Sequence, residues 1–334
     1  MTSSSEGSGK PTIVVLGSAV VDLVLNPEVL PRPGLTVLAP GYQLLPGGKG
    51  SNQAFAAARV GYPNVEFVGA MGDDGFAATI RSSLEGVGVG VSGVETRQDA
   101  PTACAAVVVD AAGENQICVG SGANLTVRSS QLESNGGRTT RLNAGDILLQ
   151  QMEIPHAEVW SAVERARGVG AHSVLNVAPA APVPEAVLGS LDFLIVNEHE
   201  ALEVYAGCGL GAAASEEDGV DPLDASLAIA KRYEVAVIVT LGSEGAAACL
   251  PRRPPGCDVA RSDGECDVLS VDAAPLSDGE KIVDTVGAGD AFVGAFCAAL
   301  ASGKDGERHA HTHTHSHAHI THARTRPSIY SILR

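Results

Sequence analysis

The chain has 334 residues, enough for one large α/β domain or two modest ones, and its net charge of −17 argues against nucleic acid or an anionic membrane surface as a partner. Hydrophobic residues make up 45% but aromatic ones only 4%, so the core must be built from Ala, Val, Leu and Ile, which suits helices packed closely on a parallel sheet. Scattered cysteines with no C-x-x-C pair, and a polar start without an apolar targeting run, point to reduced thiols and a soluble cytoplasmic protein.

Short apolar runs alternate with Ala-rich helical patterns, the rhythm of βαβ units. TIVVLGS (12–18) predicts the first strand, followed by an exposed stretch rich in Pro and Gly. SNQAFAAARVG (51–61) predicts a helix stopped by Gly61, VEFVGAM (65–71) a strand, and 73–89 a helix opened by acids and closed by Gly. TACAAVVVD (102–110) and NQICVGS (115–121), joined by a short Gly-containing connection, predict a β-hairpin. The alternation resumes with a strand at 146–152, a helix opened by Pro155, strands at 172–178 and 192–197, and the helix EHEALEVYAG. A helix at 223–233 then leads into a strand at 234–242. The segment 251–280, rich in Pro, Asp and Gly, reads as an exposed loop before the apolar helix that begins in VGAGDAF. The fold class expected is α/β, a Rossmann-like, doubly wound, mostly parallel sheet. A small separate sheet is expected from about 25–48 and 98–121, the segments that break the βαβ rhythm.

Three stretches carry chemistry. Pro46-Gly47-Gly48-Lys49-Gly50-Ser51-Asn52 lets a polar ligand approach bare backbone, with Lys49 and Asn52 as donors at a helix start; a plain Gly-rich turn is the bland alternative. Gly287-Ala288-Gly289-Asp290 places free amides at a helix N-terminus, an anion hole, with a carboxylate able to take a proton from an attacking hydroxyl; a helix cap is the alternative. Asn197-Glu198-His199-Glu200 sets Asn197 and Glu200 on one helical face, which suits hydrated Mg2+ beside phosphates, or else an N-cap.

The three in this order resemble the ribokinases within the PfkB-type carbohydrate kinase family. The resemblance runs from about Ile13 to about Gly303 and includes Gly17-Ser18 with Asp22, GGKGSNQAFAAARVG, MGDDGFA, the hairpin, QQMEIP, NVAPA, NEHEA, TLGSEG and DTVGAGDAF. It implies one kinase domain over 11–303 with a β-sheet lid often used as a homodimer contact, and transfer of phosphate from ATP to D-ribose. By motif, Asp22, Gly48, Lys49, Asn52 and Glu153 would hold the sugar. Asp290 would be the base and also touch the sugar, with Gly287, Ala288 and Gly289 as anion hole. Asn197, Thr240, Gly242, Ser243 and Gly245 would line the ATP site, with Glu200 serving Mg2+ through water or phosphate. Asp284 and the Val286 carbonyl would bind a monovalent cation, commonly K+. Other sugar or nucleoside kinases of the family, or a sugar-binding pseudokinase, are the alternative readings.

Two departures stand out. Val20 occupies the place where ribokinases often carry Asn, two residues before the first sugar-binding Asp. After Gly303 nothing resembles the family; residues 304–334 form a His-rich tail expected to be disordered, like residues 1–10. The run HAHTHTHSHAHITH (309–322) has neither Cys nor acid to fix a metal geometry, and its His-Thr alternation is what a CA dinucleotide repeat encodes.

Overall fold

The computed structural model describes residues 10–133, 142–210, 219–251, 266–275 and 285–304. The N-terminal residues 1–9, Asp284, most of the 251–280 loop and the His-rich tail beyond Lys304 lie outside the described residues.

The main sheet is assembled from β1 (Ile13–Leu16), β4 (Val65–Gly72), β5 (Gly90–Arg97), β8 (Ile147–Gln150), β9 (His172–Asn176), β10 (Phe193–Asn197), β11 (Ala236–Thr240), β12 (Ala246–Leu250) and β13 (Asp267–Val271), in the order β13-β12-β11-β10-β9-β8-β1-β4-β5. It is parallel from β11 through β5, while β12 runs antiparallel to both of its neighbours. Its strands are apolar on both faces because both are covered, which is why they read as continuous hydrophobic runs. Side chains divide with period two. Val14, Leu16, Leu148, Leu175, Leu194 and Val196 pack with α3 (His156–Val169), α5 (Glu198–Gly207) and α6 (Pro222–Tyr233). Ile13, Val15, Leu149, Val174, Phe193 and Ile195 pack with α1 (Lys49–Arg59), α2 (Gly75–Gly86) and α7 (Ala288–Ala301). The short α4 (Glu185–Leu188) adds to the first layer. The fold is therefore the doubly wound α/β class expected from the alternation.

A smaller sheet, ordered β3-β2-β6-β7, combines β2 (Val20–Leu25), β3 (Tyr42–Gly47), β6 (Ala103–Val109) and β7 (Asn115–Gly120). It begins earlier than residue 25: Val20–Leu25 is one of its two central strands, pairing antiparallel with β3 and parallel with β6. The expected hairpin is β6 with β7. Asp74 joins this lid to the main body. Its carboxylate caps α2 by accepting from the Ala77 amide (3.0 Å), and it also accepts from the amide (2.8 Å) and hydroxyl (2.7 Å) of Thr102, at the entrance to β6. Burial pushes the Asp74 carboxyl up, but these hydrogen bonds together outweigh it and hold the group below the usual range. No helix among the described residues is long and apolar enough to cross a membrane.

The chain leaves β1 toward β4 and β5 on one side and returns to build β8 through β11 on the other. The order reverses between β1 and β8, and a ligand crevice is expected outside the carboxyl ends of strands at such a point.

Candidate active site

The switch point brings together residues far apart in the chain. Ser18, just past β1, donates from its hydroxyl to Glu153 Oε2 (2.6 Å), and the Lys49 amide at the start of α1 donates to the same oxygen (2.9 Å). The Gly50 amide in turn donates to Ser18 Oγ (3.2 Å). Glu153 thus satisfies one orphan amide of the α1 N-terminus directly and a second through Ser18, and is favoured there by the helix dipole. The glycines before and within this turn are required by space. Gly48 has φ 91°, and a Cβ at Gly50 would lie 2.6 Å from the Ser18 nitrogen. At Gly47 the space of a side chain is taken by the Asp22 carboxylate. Burial pushes the Asp22 carboxyl up, and the neighbouring Glu153 charge adds to it. Asp22, Lys49 and Glu153 therefore share one polar cradle at the mouth of the crevice.

Asn52, Gln53 and Asp290 complete it. Gly294 lets α7 lie directly on α1: a Cβ there would be 2.5 Å from the Gln53 carbonyl oxygen. This contact sets Asp290, in the first turn of α7, beside α1. Its Oδ2 accepts from Asn52 Nδ2 (3.1 Å) and its Oδ1 from Gln53 Nε2 (2.9 Å). Burial pushes the Asp290 carboxyl up; the Gln53 and Asn52 hydrogen bonds and the Lys49 charge pull it back, and Glu153 adds to the rise.

Gly287 caps α7 in the left-handed region at φ 76°, and the residues from Thr285 to Gly289 are exposed. One of the three expected anion-hole amides is differently used: the Ala288 N–H donates to the Thr285 carbonyl (3.1 Å), closing the turn before the helix. Gly287 and Gly289 are the remaining two, and the Val286 backbone lies beside them.

Asn197 and Glu200 form a reciprocal capping box on α5. The Glu200 amide donates to Asn197 Oδ1 (2.8 Å) and the Asn197 amide to Glu200 Oε2 (2.8 Å). The cap leaves Asn197 Nδ2 and Glu200 Oε1 for other work. Burial pushes the Glu200 carboxyl up, partly offset by the Asn197 amide and the Lys49 and His199 charges; Asp290 also bears on it. Thr240 pairs with Asn197 across the ends of β10 and β11. Beyond it Gly242 (φ 54°), Ser243 and Gly245 (φ 100°) form the turn into β12, closed by the Leu241 amide donating to the Gly245 carbonyl (2.9 Å). No group of three or more acidic, Cys or His side chains suited to a metal occurs among the described residues. The Glu200 oxygen left over from the cap is the carboxylate atom at this end of the crevice that could face a hydrated divalent cation.

Sequence reasoning missed Gln53, Gln151 and Asn176, which are buried and linked to one another and to Asp290. The available signal was Gln53 itself, a polar residue on the buried Ala54–Ala57 face of α1, where an amide needs partners.

A doubly wound α/β sheet with a β lid, whose crevice gathers carboxylates and amides beside a helix N-terminus at the switch point, is the layout of an enzyme that binds small polar molecules. The chain belongs to the pfkB family of carbohydrate kinases, whose family model it matches over residues 10–312, a few residues past the expected limit at Gly303. It is 33% identical over 297 residues to the ribokinase of Schizosaccharomyces pombe, covering 87% of this chain and 86% of the relative. Among solved structures it resembles Arabidopsis thaliana ribokinase complexed with ribose and ATP, at 29% identity and TM-score 0.71, covering 88% of this chain and 87% of that one. It also resembles ribokinase from Cryptococcus neoformans in complex with ADP, at 31% identity and TM-score 0.68, covering 88% and 89%. The protein is accordingly an ATP-binding kinase of the PfkB sugar-kinase type.

Proposed function

We propose that the protein transfers the γ-phosphoryl group of ATP to the 5-hydroxyl of D-ribose, giving D-ribose 5-phosphate and ADP. The observation that carries this reading is Asp290: a largely buried carboxylate at a helix N-terminus, gripped by Asn52 and Gln53 and next to the polar cradle. Asp22, Gly48, Lys49, Asn52 and Glu153 hold the sugar. Alternating acceptors and donors suit a polyol, because every hydroxyl needs both. Asp290 accepts the 5-hydroxyl proton while the new O–P bond forms and the bond to the ADP oxygen breaks. The amides of Gly287 and Gly289, with Ala288 if its turn opens, stabilise charge on the phosphoryl oxygens.

Asn197, Thr240, Gly242, Ser243 and Gly245 line the nucleotide side. Glu200 would hold magnesium through water or phosphate, and the ion would supply positive charge beside the nucleotide phosphates. Asp284, outside the described residues, and the Val286 carbonyl would bind K+. The test is ADP release with ribose, Mg2+ and K+, beside a panel of other sugars and nucleosides. Ribose should be the preferred acceptor, and omission of K+ should lower the rate. Faster turnover of another acceptor would reassign the substrate, and Val20, packed in an apolar cluster with Ala103 and Ala105, is the position to which such a change would be traced.

We further infer that the lid pairs with a second copy of the chain. Register places Leu45, Ala105 and Val119 on the Asp22 face, and Val107 and Ile117 on the same face one pair further on. Leu45, Val119 and Ile117 are about half exposed, at 45%, 56% and 58%. Contiguous apolar surface of this kind marks an interaction site. Sedimentation should give a dimer that Val119→Lys dissociates; a monomeric wild-type protein would reject the inference.

A further inference from the structure

Three buried amides lie behind Asp290: Gln53 on α1, Gln151 just past β8 and Asn176 at the end of β9. Their hydrogen bonds allow one polarity. The Ile195 carbonyl can only accept, so Asn176 turns its Nδ2 toward it (3.1 Å) and presents Oδ1 to Gln53. Gln53 must meet that oxygen with Nε2 (2.9 Å), and the second proton of the same nitrogen points at Asp290 Oδ1 (2.9 Å). The Gln53 oxygen is left to accept from Gln151 Nε2 (2.7 Å). Turning Gln53 over would set its oxygen against two acceptors and its amino group against a donor. The arrangement persists although it leaves Gln151 Oε1 buried with no hydrogen-bond partner among the described residues, pressed against Gly17.

We propose that Gln53 is a positioning residue for phosphoryl transfer: a one-way amide relay, anchored on the Ile195 carbonyl and passing through Asn176, makes it an obligatory donor that fixes Asp290 as an acceptor. This rests on the reading of Asp290 as the base. A carboxylate gripped in this way is kept ready to receive a proton in a place where burial pushes its pKa up and the Gln53 hydrogen bond pulls it back. The other charged groups bearing on it, Lys49, Glu153 and Glu200, are unaltered by a change at Gln53.

The test compares the wild-type full chain with Gln53→Met, measuring ADP release at saturating ribose and ATP across roughly pH 5 to 9. Turnover needs ionised Asp290, so kcat falls as pH drops through its pKa. Loss of the Gln53 donor raises that pKa, and the acid limb should move up by about one pH unit or more, with ribose KM changed less than about threefold. A drop in kcat by one factor at every pH, with the limb unmoved, would overturn the relay. Because Gln53→Met strands two buried amides, wild-type protein gives an independent readout. The Gln53 side-chain 15N–1H signals should titrate with the acid limb and lose that titration in Asp290→Asn; signals indifferent to pH overturn the proposal. Normal turnover in Asp290→Asn would instead sink the assignment of the base, a distinguishable failure.

Discussion

Replacing Asp290 with Asn should lower kcat for ribose about 10³-fold while leaving the protein folded and ribose KM within about threefold. Part of the loss is the proton acceptor. The rest comes from the two donors that grip the side chain, because both Asp290 oxygens face NH2 groups, Nδ2 of Asn52 and Nε2 of Gln53. A carboxylate satisfies both donors. An Asn amide offers one oxygen, which the locked Gln53 donor claims, so its own NH2 faces Asn52, whose amide must turn its oxygen inward, and the grip on the side chain is rebuilt in another arrangement. Folding stability should change little. The variant removes a desolvated charge that burial disfavours, and loses at the same time the favourable interaction of that charge with the α7 N-terminus, worth about 0.3–1 kcal/mol. ADP release gives the rate and a melting curve the fold. Turnover within tenfold of wild type would assign the base elsewhere.

Much of this site can be read from sequence because its signals are local. Glycines at 47, 48 and 50 and an acid just inside a helix start are short-range backbone chemistry, legible without knowing what lies across the crevice. The main strands are legible for a similar reason: burial on both faces leaves unbroken apolar runs. Where these signals fail, a physical reason can be named. β12 is AAACL, a low-propensity sequence that is a strand only because β11 and β13 pair with it. β5 carries Gly and polar residues because it is the sheet edge. β2 merges in sequence with β1, and only the turn at Ala19, held by the amide of Asn124 in both directions, separates them. The Asn197–Glu200 spacing fits both a cap and a ligand pair, and the cap is what the backbone demands first. The amide relay is the least legible element, since Gln53 meets Gln151 and Asn176 across separations of 98 and 123 residues. Nothing local forecasts such a partner.

The second large effect is expected from a methyl group far from any reacting atom. Helix propensity alone says that Ala at position 294, inside α7, should stabilise by up to about 1 kcal/mol. Packing says the reverse. The added Cβ would lie 2.5 Å from the Gln53 carbonyl oxygen, 2.7 Å from Ala56 Cβ and 2.8 Å from the Ala57 nitrogen. These are backbone atoms and a Cβ, with no rotamer to yield, so α7 must retreat from α1. Overpacking of this kind costs about 1–3 kcal/mol. Because Asp290 rides on α7 while Asn52 and Gln53 ride on α1, the same retreat stretches both hydrogen bonds to the base. A misplacement of about 1 Å can lower turnover ~10²-fold. Gly294→Ala should therefore lose stability and kcat together. Gly168→Ala in α3, where a Cβ meets nothing within 4 Å, should gain about 0.5–1 kcal/mol and leave turnover unchanged. Thermal melts and ADP release on the two variants separate the cases. If Gly294→Ala melts lower yet turns over normally, the α1–α7 contact holds the fold without setting the base, and the link from helix packing to Asp290 is broken.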